Sequence, residues 1–290
     1  MATIPQFGSV GKNAEGVLDP KGKKFSYGKK KLNVKTKAAN GVSFTTDVEQ
    51  SNDGSTSKGS VEGVLKCSEH GMTFKEKWST ANQVDLSATF ADQGVKGLEV
   101  SVKGTFKENK PLSGSVGVSF ANDLFATDVK INAASNASYV AEDVEAQVTV
   151  GQSGFVGGAK GSCSVDGTVG PVDVKLGYVA DDFQATFLMN DTFKEFGFNY
   201  HQSINKALAV AAEIKLAASS SVPTVQVGAV YNAANNVTYR VRVDSKELGL
   251  VYAQDLSENL AFSAAVGIDI TKPLSAGTGG KGGINFTFSA

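Results

Sequence analysis

No stretch of this 290-residue chain approaches 18 consecutive apolar residues, so no helix built from it can cross a bilayer. Histidine is nearly absent. His70 and His201 are the only two, too few for a histidine metal cluster and a poor basis for a Ser-His-Asp triad. Cysteine is limited to Cys67 and Cys163, which sit on the apolar faces of their runs and read as free thiols rather than a disulfide or metal pair. Proline occurs 6 times against 32 glycines, a balance that suits many tight turns and some glycines within strands rather than collagen or disorder. Net charge is −1, and no basic block interleaved with aromatics is present, which removes the case for a nucleic-acid partner. The opening MATIPQFGSVGKNAEG has neither an apolar signal core nor an Arg/Ser-rich transit pattern, and Met1 argues against a cleaved secretory signal. Gly8-Ser9-Val10-Gly11-Lys12 has the look of a P-loop fragment but lacks its spacing and its preceding strand. These absences point away from an enzyme and from any cofactor.

What the chain has instead is alternation. Met72, Phe74 and Trp78 share one face of their run, while Thr73, Lys75 and Lys77 share the other. The same period of two recurs in Val84-Leu86-Ala88-Phe90, Leu208-Val210-Ala212-Ile214-Leu216 and Leu260-Phe262-Ala264-Val266-Ile268. Strict alternation means strands with one apolar and one polar face. About nineteen such runs follow one another, separated by turn clusters such as Ser51-Asn52-Asp53-Gly54. Their spacing suits strands of about 9–11 residues that cross a bilayer at a tilt. Polar faces as charged as Lys75 with Lys77, or Arg240 with Arg242, do not fit the inner face of a soluble sandwich. The pattern therefore predicts an all-β fold, a transmembrane β-barrel of about 19 strands, with one parallel closure between first and last. The pattern is weakest over 132–170, where Gly and Ala blur it. A soluble multi-strand binding protein is the rival of a different class.

Residues 1–25 do not alternate. Phe7, Val10, Ala14, Val17 and Leu18 recur at roughly helical spacing with Lys12 and Glu15 opposite, and the glycines among them make a weak helix that needs a surface. The division expected is thus an N-terminal amphipathic segment and linker over 1–25, lying in the lumen, and a barrel over 26–290. Nineteen strands ~4.8 Å apart and tilted ~40° give a backbone radius of roughly 19 Å, so one helix narrows the bore without plugging it.

Residues 71–90, GMTFKEKWSTANQVDLSATF, resemble the voltage-dependent anion channels, the mitochondrial porins. The head, with Gly11-Lys12, Ala14 and Val17, and the tail YAQDLSENLAFSAAV with its Gly-rich turn and short last strand, are similar too. Glu15 and Gly16, and Glu99 in Gly97-Leu98-Glu99, depart from the family's pattern. The resemblance implies a voltage-gated, weakly anion-selective channel of the mitochondrial outer membrane that passes ions and metabolites such as ATP and ADP. It also implies nucleotide contacts for Lys12 and Lys24, membrane lipids as neighbours, self-association, and kinase docking. The protein-import pore of the same membrane shares the barrel and is the alternative within the fold.

Parity assigns the candidate residues. The polar faces carry twelve basic residues, among them Lys31, Lys35, Lys103, Lys175, Arg240 and Arg242, against ten acidic ones. With Lys12 these would line the lumen and favour anions weakly. Glu76 shares the face of Met72, Phe74 and Trp78, so it would point at hydrocarbon, where a charged carboxylate is penalised. A residue kept at such a cost is a functional candidate, and the resemblance ties the matching glutamate to gating, dimer contacts and kinase docking.

Overall fold

The computed structural model describes residues 4–19, 25–135, 139–271 and 280–289. A 3-10 turn at Phe7–Ser9 and a short helix, α1 (Lys12–Leu18), precede the sheet. The strands follow as β1 (Lys29–Lys37), β2 (Ser43–Ser51), β3 (Ser57–Cys67), β4 (Met72–Ser79), β5 (Gln83–Ala91) and β6 (Leu98–Lys107). Next come β7 (Ser113–Ala121), β8 (Phe125–Ser135), β9 (Tyr139–Gln152), β10 (Phe155–Ser164), β11 (Asp173–Val179), β12 (Phe183–Asn190) and β13 (Glu195–Ser203). The last are β14 (Leu208–Ala217), β15 (Thr224–Ala233), β16 (Val237–Asp244), β17 (Glu247–Ser257), β18 (Leu260–Asp269) and β19 (Gly280–Ser289).

Each strand pairs antiparallel with its neighbours in sequence, and β1 pairs parallel with β19 from Lys30↔Ile284 to Lys35↔Ser289. The nineteen strands therefore form one closed ring, with no free edge. Positive φ closes several hairpins, in the two-residue turn Ser153-Gly154 (52° and 88°) and at Asn235-Asn236 (60° and 57°) of a three-residue loop. In the β2–β3 turn, donors from Ser51 and Ser55 hold the Asp53 carboxyl down to about 2, so this turn stays anionic at any working pH.

The faces follow from the helix. Ala14, Val17 and Leu18 of α1 pack on Ala211 and Val230, which marks the parity of those two residues as the inner one. Carried round the ring by register, the other parity is the outer face, and it bears Leu32, Phe44, Phe74, Val116, Leu176, Ile214 and Val266, all exposed. An apolar outer surface on a closed barrel with a polar inner one is a membrane-spanning design. Ring pairs run along the mouth where the odd strands end. Phe74 meets Phe90, Phe120 meets Phe125, Phe155-Tyr178-Phe183-Tyr200 form a chain of contacts, and Tyr231-Tyr239-Tyr252 form another. They make one aromatic girdle.

The pattern blurs in 132–170 for a structural reason. Asn132 pairs with Asp143 but Ala133 pairs with Ala141, so Glu142 is an extra residue and the alternation of β9 slips by one there. Cys67 and Cys163 are free thiols on the outer face.

The chain has one tryptophan, which makes the face of β4 directly measurable. Trp78 is 56 % exposed on the outer surface. Its emission in reconstituted protein is expected to be quenched by brominated phospholipid and barely by aqueous acrylamide. The reverse pattern would turn β4 inside out.

Candidate functional site: the lumen and its N-terminal segment

A seven-residue helix containing Gly16 has little stability of its own, since isolated helices shorter than about 12–15 residues are marginal in water. What holds α1 is the wall. Phe7, Val10, Ala14, Val17 and Leu18 are all buried, whereas Lys12 is exposed to the open lumen. Burying the four larger side chains contributes on the order of 1.5–3 kcal/mol each.

The path of the segment is set by glycines that face it from successive strands. A methyl group on Gly151 in β9 would sit 2.8 Å from Ile4 Cδ1, and one on Gly158 in β10 would sit 3.0 Å from the Phe7 ring. A methyl group on Gly177 in β11 would lie 3.6 Å from Val10, and one on Gly228 in β15 would lie 3.1 Å from Leu18. Gly249 in β17 and Gly267 in β18 leave the room that Tyr27 and Phe25 fill, and Gly283 in β19 leaves room for the Ser26 carbonyl. Residues 4–19 and 25–28 thus follow a glycine track across the inner wall, in chain order. It starts where the Ile4 amide donates to the Asn122 carbonyl at 2.9 Å, by the mouth where the odd strands end. It finishes where the Gly28 amide donates to the Gly282 carbonyl at 2.8 Å, by the opposite mouth.

Wall cations fasten the segment by backbone carbonyls at the ends of its two helical turns, where the helix dipole favours positive charge. Lys175 Nζ donates to the carbonyls of Phe7 (3.3 Å) and Val10 (3.0 Å) and lies 4.8 Å from the centre of the Phe7 ring. Arg240 donates to the Gly16 carbonyl at 3.2 Å. Arg242 donates to the carbonyls of Leu18 (3.4 Å) and Asp19 (3.1 Å), pairs with Glu247 at 3.0 Å, and stacks 4.6 Å over Phe25. Asp19 closes α1 in the left-handed region at φ 46°, and its carboxylate accepts the Phe25 amide at 3.1 Å.

All seven sequence-predicted lumen cations lie on the inner side, but they do different things. Lys175, Arg240 and Arg242 come together on the segment, where they act as fasteners rather than free wall charges. Lys31 pairs with Glu49 at 3.3 Å. Lys35 and Lys103 stand in β1 and β6, and Lys12 stands on α1 facing solvent. Lys24 lies outside the described residues. Sequence reasoning missed the glycine track; the available signal was glycine recurring at polar-face positions in the later strands.

Glu76 is exposed on the outer surface, paired in register with Gly63 and Leu86. The Trp78 indole donates to its carboxylate at 2.8 Å, so one hydrogen bond offsets part of the cost of a charge beside hydrocarbon. It borders an open outer groove of about 660 Å³, lined by Phe44, Leu65, Phe74, Leu86, Val102 and Phe106.

The pattern of the eukaryotic porins matches residues 4–279. The chain belongs to the eukaryotic porin family. It is 26% identical to the non-selective voltage-gated ion channel VDAC1 of Rattus norvegicus, with each chain covered in full. The Sus scrofa VDAC1 is 27% identical over the same extent. VDAC2 of Meleagris gallopavo, also named a non-selective voltage-gated ion channel, is 28% identical, with all of this chain and 96% of that one covered. As a member of this porin family the chain reads as a channel rather than an enzyme.

Two substitutions test the fastening. Arg242→Ala removes two charged hydrogen bonds to the segment and is expected to loosen its docking by about 2–3 kcal/mol. Gly228→Leu, which drives a side chain into Leu18, should do the same by collision. With Cys67 and Cys163 replaced by Ser and Ala14, which is buried on the same face of α1, by Cys, thiol labelling from the aqueous phase should be slow in the parent and fast in both variants. Trp78 emission should report an intact barrel throughout. Equal labelling rates would show that the wall contacts do not hold the segment.

Proposed function

We propose that this porin is a voltage-gated channel of the mitochondrial outer membrane that passes ions and small metabolites such as ATP and ADP, with a weak preference for anions. The observation that carries the reading is the position of the segment. It lies along one side of a nineteen-strand ring, α1 resting on β13, β14 and β15, while β3–β6 stand about half-way round. A helix of ~10–12 Å in a bore of roughly 26 Å narrows the passage and leaves it open. The named relatives, voltage-gated ion channels matched end to end, support the gating.

The anion preference rests on the inner face of β1–β6. That face carries ten lysines (Lys29, Lys31, Lys35, Lys37, Lys58, Lys66, Lys75, Lys77, Lys103 and Lys107) against five carboxylates (Asp47, Glu49, Glu62, Asp85 and Glu99). Charges on a wall act on passing ions within about a Debye length, ~10 Å at 0.1 M salt, so the preference should be modest and fade as salt rises.

Planar-bilayer recording of the reconstituted chain tests this. Reversal potentials in a KCl gradient should favour chloride, and ATP should carry measurable current; a clear cation preference would sink the assignment. Lys12→Glu should lower the anion preference. Deleting residues 1–25 should raise or destabilise open conductance and blunt voltage closure, and unchanged gating would reduce the segment to a tail. Glu76→Gln should leave the reversal potential where it was, because the carboxylate is outside the lumen.

A further inference from the structure

Five lumen lysines among the described residues have a carboxylate beside them. Lys29 and Lys31 meet Glu49, Lys130 and Lys160 meet Glu145, and Lys215 meets Glu213, all within 4 Å. Two adjacent rows on the inner face of β3–β7 hold lysines without such a neighbour. One runs Lys75, Ser87, Lys103, Ser115 across β4–β7. The next runs Lys66, Thr73, Thr89, Ser101 across β3–β6. Neither contains an acidic residue. Carboxylates return only in the rows outside them, where Lys77 lies between Glu62 and Asp85 and where Glu99 lies beside Ser119. Asp85 is itself engaged, accepting from Gln83 and from Thr105 at 2.8 Å.

We propose that Lys66, Lys75 and Lys103, standing over a floor of serine and threonine hydroxyls, form a transient subsite for multiply charged oxyanions, polyphosphate or polycarboxylate. The proposal rests on the channel reading above and names the cargo class and the part of the wall that selects it. Lys75 and Lys103 are two strands apart, roughly 10 Å, and the two rows are about 7 Å apart along the strands. A polyanion spans such gaps and meets two or three ammonium groups at once, whereas chloride meets one. The hydroxyls donate to the oxygens that the lysines attract, and among the described residues no carboxylate lies within 4 Å of the three lysines. All three lysines are exposed, so each contact is weak in high dielectric. Weak multiple contacts suit a conducting path, which must hold cargo and also release it. The site faces the lumen from the wall opposite α1, more than a Debye length from the cations that fasten the segment.

The test uses the full chain in planar bilayers, with pyrophosphate and citrate added separately to KCl and the shift in reversal potential and the current noise recorded. Lys66→Gln/Lys75→Gln/Lys103→Gln should weaken the response to both anions by about tenfold, the order expected when three unit charges at roughly 7–10 Å are removed. The corresponding Lys→Arg triple should retain it, and Trp78 emission should confirm that each variant folds. Lys37→Gln/Lys58→Gln/Lys107→Gln removes the same charge at strand ends and should change the response by less than about twofold. A loss confined to pyrophosphate supports the site as one for phosphates, and a loss confined to citrate as one for carboxylates. Equal losses in the two glutamine triples would overturn the subsite in favour of a diffuse field. A wild type that conducts and prefers chloride but ignores both anions would overturn the subsite and leave the channel standing. A wild type that forms no conductance would overturn both.

Discussion

Hydrocarbon offers no partner to a backbone N–H or C=O, and the rest of this structure follows from that constraint. Every strand must be paired on both sides, so the sheet has to close, and nineteen strands close only if the first and last run parallel. The β1–β19 seam, six residue pairs long, is the answer. Closure fixes the circumference, the circumference fixes the bore, and the bore is wide enough to admit a polypeptide segment and still leave a passage. The outer face then has to be apolar at every second position, while the inner face is free to carry charge. Selectivity is written on the face that the membrane does not control.

This division also decides what could be read from sequence. Period two in Met72-Phe74-Trp78 or Leu260 to Ile268 reports which residues meet lipid, and counting such runs gives the strand number and the parity of the closing seam. The buried face of the head, Phe7 through Leu18, was legible because a helix repeats its own period. What local pattern does not encode is which inner residue lies opposite which residue of the head. That depends on the stagger accumulated over nineteen strands, so Arg240 and Arg242 read as wall charges when the fold makes them caps on the α1 carbonyls. Gly158, Gly228 and Gly267 were illegible for a different reason. Their function is the absence of a side chain, and glycine in a strand reads as a weak position until the neighbour that needs the space is known. The slip at Glu142 shows the opposite failure, a single extra residue that erases a true alternation.

The head and the wall are unequal partners. α1 is too short to stand alone, and the contacts of the head divide between non-directional burial and directional capping, by Arg240 and Arg242 at the end of α1 and by Lys175 on the turn before it. Burial would tolerate sliding along the wall; the caps and the glycine slots would not. Phe25 and Tyr27 are wedged at Gly249 and Gly267, directly before β1 begins, so the point at which the chain turns into the barrel is packed rather than loose. Undocking residues 4–19 therefore means breaking the Lys175 and arginine contacts.

The odd strand number has a topological consequence for the two ends of the chain. In an even-stranded barrel the first strand starts and the last strand finishes at the same mouth. Here they lie at opposite mouths, because β1 and β19 run in the same direction. The head, however, runs back through the lumen, and Ile4 reaches Asn122 at the mouth where the odd strands end, which is also where Ser289 finishes β19. The return passage cancels the odd strand. Ile4 and Ser289 consequently open onto one compartment, so probes fused beyond either would sense the same side of the membrane while the head is docked, and opposite sides if it swings out through the far mouth.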